Sequence, residues 1–144
     1  MMIVKVKICG ITNYQDAAAA VEMGADMIGF NFYPKSPRYI TPEDAAAIIN
    51  KLPTFVDTVG VFVNESFERI LEIINSLQLN WIQLHGDETP EFCQNFLSIN
   101  VKTIKAIRIK TKADIQKADA YFTDAIILDA FRSDIYGGTG ETFD

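Results

Sequence analysis

The sequence predicts an α/β fold in which parallel strands alternate with helices. Short runs rich in apolar and β-branched residues recur at a steady interval, and the segments between them repeat apolar residues with helical spacing. A helix between two strands packs back on their sheet when the strands are parallel and the crossover is right-handed. The pattern predicts strands at 4–8, 27–32, 58–63, 81–84, 101–107 and 125–128, and helices at 13–23, 41–52, 66–77, 89–97 and 112–121.

Two of the helices carry clear start signals. Thr41-Pro42 and Thr89-Pro90 each place a side-chain oxygen at the N-cap and proline at the first helical position, and acidic residues follow in the first turn. Gly24 suits the end of the first helix. The boundaries of these elements are therefore predicted by local chemistry as well as by periodicity.

Two architectures fit this order of elements. A length of 144 residues favours an open, doubly wound sheet, because a closed (β/α)8 barrel usually needs about 200 residues or more. The strand faces favour the barrel: Lys7 and Cys9 share one face of the first strand, and Gln83 and His85 share one face at the fourth, while the opposite faces are apolar. A strand covered by helices on both sides would be apolar on both faces. We therefore expect a barrel of the (β/α)8 type, incomplete here, with about six strands and five helices.

Composition limits the class of function. The chain is 49% hydrophobic and 22% charged, which is typical of one globular domain over residues 1–144. A net charge of -6 with dispersed basic residues argues against a nucleic acid or an anionic membrane as partner and favours a small molecule. No run approaches the roughly 18 to 20 apolar residues of a membrane span. With two cysteines in unrelated contexts, Cys9 and Cys93, the expected location is the reducing cytoplasm, and Cys93 is expected in a core.

Five motifs lie in the order and at the approximate spacing of one known family. The chain resembles the phosphoribosylanthranilate isomerases of tryptophan biosynthesis in its runs 7–12 (KICGIT), 29–40 (GFNFYPKSPRYI), 59–64 (VGVFVN), 83–86 (QLHG), and 128–129 (LD) followed by the glycine-rich loop 137–144. The resemblance implies a (β/α)8 barrel that catalyses an Amadori rearrangement, the conversion of N-(5-phosphoribosyl)anthranilate to 1-(o-carboxyphenylamino)-1-deoxyribulose 5-phosphate. It also implies a phosphosugar substrate and no metal or organic cofactor, since the iminium formed on ring opening is the electron sink.

The resemblance assigns the general base to Cys9 and the general acid to Asp129. Strand parity supports this pair independently, because Cys9 lies on the mixed face at the end of the first strand and Asp129 ends the sixth, where barrel active sites lie. Lys7, two residues before Cys9 on the same face, would favour the thiolate and contact substrate. The structural alternatives are a small buried Cys9 and an Asp129 that only caps the next loop.

Other positions are expected to contact the substrate. Arg38 lies in a loop with two prolines and resembles the family's contact with the anthranilate carboxylate, although a solvated surface arginine is the alternative. His85, the single histidine, is expected to line or orient the site rather than transfer protons, with Asn31 and Gln83 as polar neighbours. Gly138 belongs to a loop expected to close over the substrate.

The length of the chain shapes the expected activity. By the spacing of its units, a barrel of eight would need several tens of residues beyond Asp144, so we expect a partial barrel that lacks the last two βα units and their phosphate site. Such a chain would have little or no activity alone and would associate with itself through the open edges of the sheet. Two other functions remain: an inactive remnant that serves only as an assembly or binding module, and an unrelated doubly wound domain that binds a small ligand.

Overall fold

The computed structural model describes residues 4–130 of the chain. Strands and helices alternate along this part of the chain, as the sequence predicts. The strands are β1 (Lys7–Cys9), β2 (Met27–Asn31), β3 (Asp57–Phe62), β4 (Trp81–Leu84), β5 (Lys102–Ile109) and β6 (Ala125–Ala130). The helices are α1 (Tyr14–Glu22), α2 (Pro42–Ile49), α3 (Phe67–Leu77), α4 (Pro90–Gln94) and α5 (Lys112–Gln116), and a 3-10 helix at Lys117–Ala120 follows the last of them.

The strand order decides between the two architectures. All six strands are parallel and follow one another in the order β1-β2-β3-β4-β5-β6. A doubly wound sheet reverses its strand order at a switch point, and this sheet does not. The alternative of an open doubly wound domain is therefore wrong, and the described residues form part of a (β/α) barrel.

The two faces of the sheet differ as the strand pattern predicts. On the outer face, strand residues such as Ile28, Phe30 and Ile82 pack with helix residues such as Ala17 and Ile70 in one large buried cluster. The inner face has a smaller cluster of three buried residues with partly buried neighbours, formed by Met27, Val59 and Ile104 with Trp81, Ala125 and Ile127. The helices thus cover one face, and the concave face is left for polar side chains near the ends of the strands.

The predicted N-caps of α2 and α4 are confirmed. The Thr41 side chain accepts a hydrogen bond from the amide of Asp44, the Thr89 side chain accepts one from Phe92, and each helix has proline in its first turn. After α1, Gly24 has a φ of +94°, a left-handed conformation that favours glycine.

Several element boundaries differ from the sequence-based expectation: α2 ends at Ile49 rather than at 52, β5 runs to Ile109 rather than to 107, and β6 runs to Ala130 rather than to 128. β1 begins at Lys7 rather than at residue 4, because Lys7 is the first residue with a register partner in β2, namely Met27. α4 ends at Gln94 rather than at 97, since Phe96 and Leu97 continue with the shorter i→i+3 bonds of tightened turns. The predicted helix at 112–121 divides into α5 and the 3-10 helix.

Within residues 4–130, β1 and β6 each pair with only one neighbouring strand. Apolar residues on these two strands and just before β1 are correspondingly exposed: Val6 is 45% exposed, Ile8 41% and Leu128 43%. These positions alternate with the inward-facing residues, so they lie on the side of the sheet that the helices cover elsewhere. None of the helices in the described range is long and apolar enough to cross a bilayer.

Candidate active site

The two predicted catalytic residues lie at the same end of the sheet and on its concave face. Cys9 is the last residue of β1, and Asp129 is the second-last of β6. Cys9 is in register with Gly29 of β2, two residues after Met27 of the inner cluster, and Asp129 is two residues after Ile127 of the same cluster. Because side chains alternate between the faces of a strand, both residues point inward at the carboxyl ends of parallel strands, which is where barrel active sites are built.

A hydrogen bond between His85 and Asp129 fixes the carboxyl group on this face. His85 Nε2 lies 2.9 Å from Asp129 Oδ2, and both side chains are largely buried. The two residues belong to β4's carboxyl end and to β6, which are separated by β5, so their side chains meet over the concave surface of β5. The β5 residue next to His85 in this register is Ala106, whose small side chain leaves room for the contact.

His85 is held from its other side by Gln83. The Gln83 Nε2 and the His85 Nδ1 are 2.6 Å apart, and both residues are buried. His85 therefore has a polar partner at each ring nitrogen. A ring fixed in this way can orient a neighbouring group, and Gln83, His85 and Asp129 form one hydrogen-bonded chain on the inner face.

Arg38 is placed beside Cys9 by the loop after β2. Its Nη1 donates a hydrogen bond to the backbone carbonyl of Cys9 at 3.3 Å, and its own amide donates to Ser36 Oγ at 3.1 Å. Asn31 holds this loop, because its Nδ2 donates to Ser36 Oγ at 3.1 Å and its Oδ1 accepts from the Tyr33 amide at 2.9 Å. Asn31 thus stabilises the loop that carries Arg38, and its contact with the substrate remains a prediction.

Gly10 provides the space for the Arg38 side chain. A Cβ at Gly10 would lie 2.6 Å from Arg38 Cδ and 2.9 Å from its Nε. The φ of Gly10 is +84°, which side chains other than glycine rarely adopt. In the KICGIT motif, Cys9 therefore supplies the thiol, and Gly10 supplies the space in which the Arg38 side chain lies.

Sequence reasoning missed a buried ion pair behind the site. Lys105 Nζ donates to Glu88 Oε2 at 2.7 Å, and both side chains are only 3% exposed. The same ammonium donates to the carbonyls of Leu84 at 3.2 Å and Gly86 at 2.8 Å, which flank His85 in the chain. Lys105 therefore anchors the backbone on both sides of His85 from the outer face of β5.

Glu88 completes this support. Its Oε1 accepts from the amide of Asn64 at 2.8 Å, and its Oε2 accepts from the amide of Gly86 at 2.9 Å. Two loops, those after β3 and β4, are thus tied to one carboxylate. The one sequence signal was a lysine at an outward position of a strand whose neighbouring positions are apolar, which predicts a buried partner without saying which residue it is.

The remaining predicted positions are located as follows. Lys7 is partly exposed and lies two residues before Cys9 on the inner face of β1, in register with Met27. Gly138 lies outside the described residues, so its predicted contact remains a prediction. Within residues 4–130, no group of three or more histidine, cysteine, aspartate or glutamate side chains is arranged to hold a metal ion.

Among the described residues, one cavity lies at the end of the sheet that carries these side chains, and another lies at the opposite end. A cavity of about 350 Å³ opens beyond the carboxyl ends of β4 and β5, with Gly86, Arg108 and Tyr121 in its wall. The larger cavity, of about 830 Å³, lies at the opposite ends of the strands, beside Trp81 and Lys102. Size does not identify the site here, because the amino ends of barrel strands generally serve stability and the carboxyl ends serve chemistry.

Comparisons with known proteins agree with this geometry. Residues 6–144 match the family model of N-(5'-phosphoribosyl)anthranilate (PRA) isomerase. The chain is 49% identical to the N-(5'-phosphoribosyl)anthranilate isomerase of Trichodesmium erythraeum over 97% of its own length and 63% of that protein. Its fold is similar to the crystal structure of phosphoribosyl anthranilate isomerase from Thermotoga maritima, with a TM-score of 0.91 and 50% identity, covering 99% of this chain and 68% of that one.

A second solved structure of the family, also similar to this chain, is a complex with a ligand. It is phosphoribosyl anthranilate isomerase in complex with reduced 1-(o-carboxyphenylamino)-1-deoxyribulose 5-phosphate, with a TM-score of 0.84 and 50% identity, covering 90% of this chain and 66% of that one. The chain therefore spans about two thirds of the length of these relatives. From the family match, the identity and the shared fold together, the chain belongs to the phosphoribosylanthranilate isomerase family.

Proposed function

We propose that this chain forms the larger part of an enzyme that converts N-(5-phosphoribosyl)anthranilate to 1-(o-carboxyphenylamino)-1-deoxyribulose 5-phosphate, an intramolecular aldose-ketose isomerisation. The observation that carries the proposal is the hydrogen bond of 2.9 Å between His85 and Asp129, which holds a carboxyl group on the same concave face and at the same strand ends as the Cys9 thiol. An acid and a base at one mouth are what this reaction requires.

Asp129 acts as the general acid in the first step. Its protonated carboxyl group gives a proton to the furanose ring oxygen, the bond between that oxygen and C1 breaks, and the anthranilate nitrogen supplies the electron pair that forms the iminium. Asp129 is left as a carboxylate, which the hydrogen bond from His85 Nε2 stabilises.

Cys9 acts as the general base in the second step. Its thiolate removes the proton from C2, and the electron pair of that C–H bond moves toward the iminium to give an enolamine. The enolamine then becomes the ketone when C1 gains a proton and the C2 hydroxyl loses one. Because Cys9 is partly exposed on the concave face, a substrate in the mouth can reach the sulfur.

Arg38 binds the carboxylate of the anthranilate ring. Its guanidinium is exposed and lies against the Cys9 carbonyl, so a carboxylate held there places the rest of the substrate over the thiol. Lys7, on the same face, adds positive charge near the base. Both residues would fix the orientation of the substrate, since reacting groups need to be held close and aligned.

The residues named above are not expected to bind the phosphate group of the substrate. Barrels of this class hold phosphate after strands seven and eight, and the chain matches 63–68% of its relatives' length. We infer that residues 1–144 constitute a single partial barrel domain and that the last two βα units supply the phosphate site. Gly138 remains a proposed part of a closing loop.

Turnover of a completed chain tests the proposal. The 144 residues would be joined to the C-terminal third of the Thermotoga maritima relative, and isomerase activity would be measured for the parent and for Cys9→Ser and Asp129→Asn. We expect an active parent and losses of about 100-fold or more in each variant. A parent that folds and binds reduced 1-(o-carboxyphenylamino)-1-deoxyribulose 5-phosphate but has no activity would favour the alternative of a binding module. Variants that keep most of the parent's turnover would contradict the roles of Cys9 as base and Asp129 as acid.

A further inference from the structure

Gln83 is the buried residue at the start of the polar chain that ends at Asp129. Its side-chain nitrogen faces His85 Nδ1 at 2.6 Å, and His85 Nε2 faces Asp129 Oδ2 at 2.9 Å. Gln83 is 2% exposed, and its Oε1 is buried with no hydrogen-bond partner within the described part of the chain. Among the described residues, the one hydrogen bond of the Gln83 side-chain nitrogen is with the imidazole. Gln83 can therefore act on the site by determining which ring nitrogen of His85 carries the proton.

The orientation of the Gln83 amide assigns the form of His85. In that orientation the amide nitrogen, which donates hydrogen bonds and does not accept them, faces Nδ1, so Nδ1 accepts and carries no proton. A neutral imidazole then has its proton on Nε2, which donates to Asp129 Oδ2. We propose that Gln83 is a positioning residue that holds His85 in the neutral, Nε2-protonated form and thereby allows Asp129 to carry the proton it gives to the substrate.

The consequence follows from electrostatics, and it rests on the proposed role of Asp129 as general acid. An imidazolium at 2.9 Å would stabilise the aspartate carboxylate and hold it ionised, because opposite charges in a buried site interact strongly. An ionised carboxylate cannot protonate a ring oxygen. The neutral ring still orients the carboxyl group through Oδ2, so that the proton is exchanged at the other oxygen, Oδ1.

The charged groups around His85 have opposing effects on its protonation, so the hydrogen bond with Gln83 determines which form the ring takes. Asp129 on β6 favours a cationic ring, whereas Arg108 on β5, in register with Asp129 and ion-paired with Asp87, disfavours a second cation on this face. The Lys105–Glu88 pair lies on the outer face and is internally neutralised.

Farther groups add little to this balance. The β3 neighbour of Gln83 in the register is Val61, which carries no charge. Among the described residues, the His85 ring hydrogen-bonds to Gln83 and Asp129 and not to Lys7 or Cys9 of β1. The amide of Gln83 is thus the only uncharged donor placed to exclude a proton from Nδ1 among the side chains described here.

The single histidine of the sequence makes the proposal directly measurable. The ¹⁵N spectrum of the imidazole, recorded on the 144-residue chain and on the completed enzyme, distinguishes the neutral Nε2–H form, the neutral Nδ1–H form and the imidazolium. We expect the neutral Nε2–H form in the parent at the pH of the turnover assay. An Nδ1–H form or an imidazolium under the same conditions would overturn the proposal.

Two substitutions of similar size separate the role of the donor from that of packing. Gln83→Glu replaces the donating nitrogen with an accepting oxygen, so we expect a proton on Nδ1, an imidazolium signal and a fall in kcat of about 100-fold with a smaller change in KM. Gln83→Met removes the hydrogen bond without adding charge and should lower kcat less. Asn80→Asp adds the same charge at the opposite end of β4 and should leave the imidazole signal unchanged.

The readouts also separate this proposal from the proposed function. If Gln83→Glu leaves the imidazole signal as it is in the parent, Gln83 does not determine the form of His85 and the inference is wrong. If the signal changes as expected but Asp129→Asn retains turnover, the control of His85 stands and the role of Asp129 as acid fails. A Gln83→Glu enzyme that has an imidazolium and full kcat would contradict the link between the two.

Discussion

Gly29 leaves the space that the sulfur of Cys9 occupies. The two residues are register partners in β1 and β2, and a Cβ on Gly29 would lie 3.0 Å from Cys9 Sγ and 3.2 Å from its Cα. We therefore predict that Gly29→Ala displaces the thiol and lowers both its rate of alkylation and the turnover of the completed enzyme, by about 10-fold or more.

A second glycine provides the control. Gly24→Ala meets no atom within 4 Å but forces alanine into a φ of +94°, so it should cost stability without altering the thiol. Unfolding and alkylation measured on both variants separate the two effects. Equal alkylation rates in Gly29→Ala and the parent would show that the close contact does not matter.

The buried ion pair should be needed for stability. Lys105→Met leaves the Glu88 carboxylate without its cation and frees the carbonyls of Leu84 and Gly86, and breaking such a pair typically costs about 3–5 kcal/mol. Lys102→Met, on the same strand, removes an exposed lysine whose ammonium lies 4.9 Å from the centre of the Trp81 ring, and should cost about 1 kcal/mol or less. Urea unfolding of both variants checks the difference, and similar costs would contradict the assigned importance of the pair.

Much of this fold can be predicted from the sequence because period-two alternation records which face of each strand is covered. The alternation alone predicts that Lys7, Cys9, Gln83 and His85 lie on one face, and the sheet confirms that placement. The start of β1 cannot be read in this way, because Val4 continues the apolar alternation although it lies before the first register partner in β2.

The Lys105–Glu88 pair shows a different limit. A lysine within a strand-like run has a partner that is 17 residues earlier in the chain, and only the packing of the β4–α4 loop against β5 brings the two together. The hydrogen bond between His85 and Asp129 has the same character, because it depends on the curvature of three strands. Periodicity predicts which face of a strand a residue lies on and where the strand ends. Contacts between side chains that are distant in the chain can be identified only from the tertiary structure.

The two cysteines should differ in reactivity. Burial raises the pKa of the Cys93 thiol to about 11, and its side chain is within the outer-face core, while Cys9 is partly exposed at the mouth. We predict that near pH 8 a thiol reagent modifies one cysteine of the folded chain rapidly, and that Cys9→Ser removes this reaction. Rapid modification of Cys93 in the folded Cys9→Ser chain would contradict the prediction.

The raised pKa of Cys93 also predicts a loss of stability in alkali. The folded protein retains the thiol proton up to about pH 11, whereas the unfolded chain loses it near its ordinary value of about 8.5–9. The stabilising contribution is complete below that range and is lost as the pH rises toward 11. Cys93→Ala should therefore show a smaller decline in the free energy of unfolding than the parent over this interval, and equal declines would contradict the assignment.

The exposed apolar residues of β1 and β6 predict self-association of the 144-residue chain. We expect sedimentation to show species larger than a monomer, and the double variant Ile8→Lys with Leu128→Lys to reduce them, since charge on an edge strand opposes pairing. Met23→Lys replaces a side chain that is 90% exposed away from these strands and should have no effect. A monomeric parent at all concentrations would contradict this prediction.

The central claim is that Asp129 and Cys9 exchange protons with a bound substrate rather than only binding it. Its most direct test measures, for Asp129→Asn and Cys9→Ser in the completed enzyme, the Kd for the reduced product analogue beside the kcat for isomerisation. The account predicts a Kd within about threefold of the parent's and a kcat lower by about 100-fold or more in both variants. Variants that lose affinity and turnover in parallel, or that keep their turnover, would contradict it.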